Sequence, residues 1–252
     1  MNTKLTRYRA AALHVCISAS IAVVVFLAIY FFWYPGALFD SAGGRDLFLL
    51  ALAIDVTIGP LVTLIIFVPG KKGLVFDLWV IGIVQASFLI YGVWAIAEAR
   101  PVYIAFVKDR FELARANQIP DSVLKAAHMN RYLDLPWAGP KVVGVQFPTD
   151  PDAKFDLMIS GMGGVDIQAY PQYHIPYDQV SKQVVEHSLP VANLARFNKG
   201  ISVADVAASV GRAEAEVRFL PVRAGKVDLA MLVDARTGAI LKLAPLKPWE
   251  YE

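Results

Sequence analysis

Apolar positions fall into three long runs in the first hundred residues, and into short alternating segments after that. The runs are residues 10–33, 47–68 and 78–97. Each is close to the roughly 20 residues that an α-helix needs to cross a bilayer. The first follows Lys4, Arg7 and Arg9 and closes on Phe31-Phe32-Trp33-Tyr34. Its length and its aromatic belt fit a retained span better than a cleaved signal peptide, whose apolar region is about 7–15 residues. The links between runs are too short for a domain, so the spans form an antiparallel bundle. Gly82, Ala86, Ser87 and Gly92 put small residues on the third span, where helices could approach closely.

After residue 100 the pattern is that of a folded domain. Residues 102–107 and 110–114 flank Lys108-Asp109 and read as a hairpin. Residues 121–128 read as a short helix, 141–147 as a strand and 161–164 as a glycine-rich turn. Residues 177–187, 190–197 and 202–210 carry helical patterns. Residues 217–222, 227–233 and 239–243 form an antiparallel meander that turns at Asp234–Gly238. The predicted fold class is a three-helix transmembrane bundle followed by an exported α+β domain with antiparallel strands. The expected division is 1–100 for the membrane domain and 101–252 for the exported domain.

Charge gives the orientation. Lys4, Arg7, Arg9, Lys71 and Lys72 lie on one side of the spans, and Arg45 alone lies in the loop on the other. Positive residues collect on the cytoplasmic side, so the N-terminus is expected inside and the C-terminal domain outside, in the periplasm of a Gram-negative cell. In residues 101–252, 17 Lys and Arg balance 17 Asp and Glu, and no basic stripe points to nucleic acid. The one cysteine, Cys16, lies in the first span, so the exported domain has no disulfide.

Catalytic signatures are missing. The chain has no HExxH, GxSxG, GxxxxGK[ST] or CxxC, and His128, His174 and His187 lack metal-motif spacing. No catalytic, cofactor or metal residue is expected, and the chain is not read as an enzyme.

Two features stand out instead. Asp55 lies about eight residues, or roughly 12 Å, into the second apolar run, just before Gly59-Pro60. A carboxylate inside hydrocarbon is costly and usually faces helices or a cavity. It serves either another membrane segment or a proton relay, or it is bonded internally to Thr57, Thr63, Gln85 or Ser87. The second feature is the aromatic, proline-rich stretch 170–177. Its tyrosines could form a recognition surface or pack as a loop before a helix. Asp55, Gly59, Pro60, Tyr170, Tyr173 and Tyr177 are thus the candidate partner-binding residues.

Several stretches taken together resemble a known family. They are Trp33-Tyr34-Pro35-Gly36-Ala37-Leu38-Phe39, Asp55-Val56-Thr57-Ile58-Gly59-Pro60-Leu61, Pro69-Gly70-Lys71-Lys72-Gly73-Leu74, Phe76-Asp77-Leu78, Arg100-Pro101-Val102-Tyr103 and Asp109-Arg110-Phe111. Their order and spacing resemble the type IV pilin accessory proteins of the TfpX/TfpZ kind. The match is dense over residues 30–112 and thinner beyond, with Ala37 standing where a second proline is expected. The resemblance implies an inner-membrane accessory protein or chaperone that binds the type IV pilin subunit and promotes its stability or assembly. Its partners would be that subunit, membrane lipid and other pilus-assembly proteins. It implies no catalytic residue and no cofactor. Two other classes remain open on the residues alone. One is an intramembrane enzyme or proton-coupled component using Asp55, and the other is a membrane-anchored ligand sensor.

Overall fold

A computed structural model describes residues 6–120, 123–124, 132 and 134–250. The helix expected over 121–128 lies outside these residues except for Val123 and Leu124, which are helical. Three helices are long and apolar enough to cross a membrane: span 1, Arg7–Trp33; span 2, Gly44–Ile66; and span 3, Leu74–Glu98. Thr6 caps the first, its hydroxyl accepting from the Arg9 amide. Gly43 and Gly73 precede the other two with positive φ, which a residue with a side chain rarely adopts. Most of the outward apolar surface of the spans stays exposed, as lipid contact requires.

Spans 1 and 3 each pack chiefly on span 2. The small residues of span 3 divide between two roles. Gly92 lets span 2 approach, since a β-carbon there would stand 3.4 Å from that of Ala51. Gly82 faces open space.

The rest is α+β. Strands β1 (Pro101–Val107), β2 (Arg110–Arg115), β3 (Lys141–Val145), β4 (His174–Ile175), β5 (Leu189–Pro190), β6 (Val217–Arg223), β7 (Leu229–Asp234) and β8 (Ile240–Ala244) form one curled sheet. Its order is β4-β3-β1-β2-β6-β7-β8, with β5 on β6. The expected hairpin β1–β2 and meander β6–β7–β8 are antiparallel. Two parallel joins, β1 with β3 and β2 with β6, knit them together. β1 and β7 are buried along nearly their whole length, because both faces of the sheet are covered.

The middle segment departs most from the sequence pattern. Residues 150–162 carry a helix, Pro151–Met162, with Asp150 as N-cap and proline at its first position. The expected helix over 190–197 is a 3₁₀ run, Val191–Arg196, and 177–187 splits into a 3₁₀ turn followed by Ser181–His187.

The largest core cluster crosses residue 100. Ile29, Trp33, Tyr34, Leu38, Ala42, Ile96 and Ala97 pack with Ile104, Phe106, Phe111, Leu220, Val222 and Met231. Tyr34 is fully buried and donates to the Ile96 carbonyl at 3.4 Å. Arg115 donates to the carbonyls of Ala42 and Ala224, each at 3.2 Å. The Lys226 and Val227 amides donate to the Ser41 carbonyl, and the Lys226 ammonium bonds Asp46. The span ends nearest the sheet are thus built into its base.

Candidate functional site

The intramembrane site starts from a backbone irregularity. Residues Ile54–Ile58 form a π turn inside span 2, and Gly59–Ile66 resumes as α-helix with proline in its first turn. In a π turn a carbonyl pairs with the amide five residues on. For the Asp55 carbonyl that residue is Pro60, which has no N–H. Gln85 of span 3 supplies a donor, its Nε2 reaching the Asp55 carbonyl at 3.2 Å. Gly59 is what admits it. A β-carbon on Gly59 would stand 1.8 Å from that nitrogen. Asp55, Gly59 and Pro60 therefore act together, with Gln85 as the member that spacing along span 2 could not show.

The Asp55 side chain is a different matter. Its Oδ1 is buried without a hydrogen-bond partner. The internal partners considered from sequence are engaged elsewhere or exposed. Thr63 Oγ1 lies 2.6 Å from His14 Nδ1, Ser87 donates to the Ile83 carbonyl, Gln85 serves the Asp55 backbone, and Thr57 faces outward. Asp55 is the twelfth of the 23 residues of span 2, about 16 Å from either end, deeper than the apolar run alone suggested.

Beside Asp55 the bundle is open. A cavity of about 200 Å³ lies between spans 1 and 3, lined by His14, Ile17, Ser18, Gly82, Gln85 and Ala86 as well as Asp55. A second, of about 260 Å³, shares His14, Ile17 and Gly82 with it and extends toward Thr63 and Phe67. Together they make a groove along the bundle. On the other side of Asp55, between spans 2 and 3, lies a more apolar cavity of about 260 Å³ lined by Leu47, Ala51, Phe88 and Tyr91. Sequence reading missed His14. A search for polar residues within each apolar run, and not only for acids, would have found it.

The tyrosines of the α+β domain serve two purposes. Tyr177 is a structural strut: its hydroxyl donates to the Gly238 carbonyl, and its ring lies 6.3 Å from that of Phe111. Burial pushes its pKa up to about 12. Tyr170 and Tyr173 are half-buried with rings 6.2 Å apart, and the Tyr170 hydroxyl bonds Ser160 of the helix Pro151–Met162. That helix has no buried residue. Phe155, Met158, Ile159 and Met162 recur at helical spacing along it and are 58 %, 58 %, 49 % and 82 % exposed. The stripe is therefore an exposed apolar face of the α+β domain.

Two titratable groups of the α+β domain are held in shifted states by burial. His174 packs against Tyr103 and Tyr132, at 4.7 and 5.9 Å, with Nε2 3.0 Å from the Gln168 carbonyl. Burial lowers its pKa to about 4, so it is neutral. Glu112 sits in a polar cleft of about 510 Å³ with Asp166, Gln168 and Arg223. Burial lifts its pKa to about 7, against the pull of Arg223 at 3.7 Å. Among the described residues no group of His, Cys, Asp and Glu is placed to hold a metal.

With this geometry in view, comparison with other proteins finds clear relatives. Over 183 residues the chain is 28 % identical to "Fimbrial assembly protein, serogroup I" of Dichelobacter nodosus, covering 71 % of this chain and 70 % of that protein. Over 182 residues it is 28 % identical to the serogroup E1 protein of the same organism, covering 71 % and 70 %. Over 109 residues it is 35 % identical to the protein of serogroups C1 and C2, covering 42 % of this chain and 83 % of that one. No protein-family model and no solved structure matches the chain.

Proposed function

The chain belongs to the family of these fimbrial assembly proteins, and from that premise we propose that it binds the type IV pilin subunit and promotes its stability or its assembly into pili. It acts as a chaperone without catalysis. It sits in the inner membrane with its N-terminus in the cytoplasm, residues 1–100 as the membrane part and residues 101–252 as a periplasmic domain. The charge asymmetry of the short loops supports this orientation.

The observation that carries the reading is the exposed stripe Phe155, Met158, Ile159 and Met162 beside Tyr170 and Tyr173. Large apolar side chains aligned on one helix face, next to paired tyrosines, have the composition of a protein-binding surface. Asp150, Asp152 and Asp156 accompany the stripe against Lys154 alone, which disfavours an anionic lipid surface as its occupant. Tyr170 and Tyr173 are contact residues in this reading, and Tyr177 supports them from the core. Asp55, Gly59 and Pro60 form the membrane end of the same partner's site.

The test is Met158→Asp and Phe155→Asp in the native host. Both side chains are exposed, so accumulation of the protein is expected to stay normal while crosslinking to pilin and surface piliation fall. Normal pilin crosslinking in both variants rejects this surface.

A further inference from the structure

We propose that the groove between spans 1 and 3 seats a fourth transmembrane helix, supplied by the partner, which donates a hydrogen bond to the Asp55 carboxylate. Three observations converge on it. Asp55 lines the groove, its Oδ1 is closed off and unpartnered so that a donor reaches it only as neighbouring side chains yield, and His14, Thr63 and Gln85 beside it are engaged elsewhere. Spans 1 and 3 leave between them the two cavities that share His14, Ile17 and Gly82. A β-carbon on Gly82 would meet nothing within 4 Å, so this chain does not fill the floor of its own groove.

A polar group without a partner in hydrocarbon is costly, and lipid tails offer no donor. A helix that carries a hydroxyl, amide or ammonium group at mid-membrane depth resolves both deficits. It covers the groove by close packing against Gly82 and Ala86, the means by which helices associate in lipid, and it satisfies Asp55. Gln85 and the Gly59–Pro60 turn hold Asp55 in place without consuming its carboxylate. The inference rests on the pilin reading only for the identity of the partner, since the groove itself specifies a helix and a donor.

The experiment places a photo-crosslinking residue at Ile17, in the groove, or at Ile90, an exposed position of span 3 that lines no cavity described above, in the full-length protein in its native membrane. A protein adduct is expected from Ile17 and not from Ile90. Asp55→Asn retains an acceptor oxygen and should keep the adduct. Asp55→Leu removes the acceptor and should lower its yield at least about threefold at equal protein level, the scale of one interhelical polar contact. Gly82→Leu projects into open space, leaves the fold intact and should block the groove. Lipid adducts alone from Ile17, or a protein adduct that neither Leu substitution diminishes, overturns the proposal. The crosslinked protein separates the two readings. If it is a membrane helix other than pilin and depends on Asp55 and Gly82, the groove is supported and the pilin reading fails. If pilin crosslinks depend on Met158 while Ile17 yields lipid alone, the groove fails and the pilin reading stands.

Discussion

A β-carbon on Gly59 would lie 1.8 Å from Nε2 of Gln85, so the two residues occupy one space across spans 2 and 3. The contact compensates a π turn that ends at a proline, and it fixes the depth and rotation of Asp55.

Gly59→Ala should therefore displace Gln85 and orphan the Asp55 carbonyl. The expected loss is about 1–3 kcal/mol of stability, the usual cost of overpacking. Thermal unfolding in detergent measures it. The double variant with Gln85→Ala should recover the steric part, while Gln85→Ala alone should lose only the hydrogen bond.

His174 sets an acid limit to the α+β domain. Its pKa is about 4 when folded and near 6.5 when unfolded, so the unfolded chain binds the extra proton between those values. Stability is full above pH 6.5 and declines as the pH falls toward 4, by up to about 3 kcal/mol. His174→Gln should flatten that part of the profile. Denaturation at pH 7.5 and 4.5 provides the comparison, and an unchanged acid limb in the variant would contradict it.

Glu112 behaves in the opposite sense. Its folded pKa of about 7 exceeds the unfolded value near 4.5, so the folded state holds the proton longer. Its favourable contribution is complete below pH 4.5 and disappears as the pH rises through 7. Glu112→Gln should stabilise the protein above pH 7 by about 1–2 kcal/mol, a figure reduced because Arg223 and water remain near. Denaturation at pH 8 reads the gain, which should vanish at pH 4.5.

Alkaline phosphatase fused after Glu252 should be active, because five Lys and Arg lie on the expected cytoplasmic side of the spans against Arg45 on the other. Activity confined to a cytoplasmic fluorescent fusion at the same position would reverse the topology.

Much of the architecture follows from the linear pattern. Apolar runs of span length can hide their backbone amides only as helices, so residues 10–33, 47–68 and 78–97 declare themselves. The hairpin and the terminal meander are equally local, because alternation and turn residues specify antiparallel neighbours close in sequence. Asp55 was visible as a charge out of place, and the tyrosines as an unusual cluster.

Tertiary structure decided what these residues do. The parallel joins β1–β3 and β2–β6 bring together segments far apart in sequence, which local pattern cannot encode. The helix Pro151–Met162 carries its own signals, Asp150-Pro151 at the start and Phe155, Met158, Ile159 and Met162 at helical spacing, but only the tertiary structure shows that this stripe faces outward and not into the core. Tyr170 and Tyr177 are both half-buried, but the Tyr177 hydroxyl is tied to the Gly238 carbonyl and that of Tyr170 to Ser160 on the helix bearing the exposed stripe, pairings that only the tertiary structure brings about. Asp55 could be named from sequence, but whether it had a partner could not. Hydrogen-bond satisfaction depends on which side chains of two other helices reach it, and those of Gln85 and Thr63 turned elsewhere.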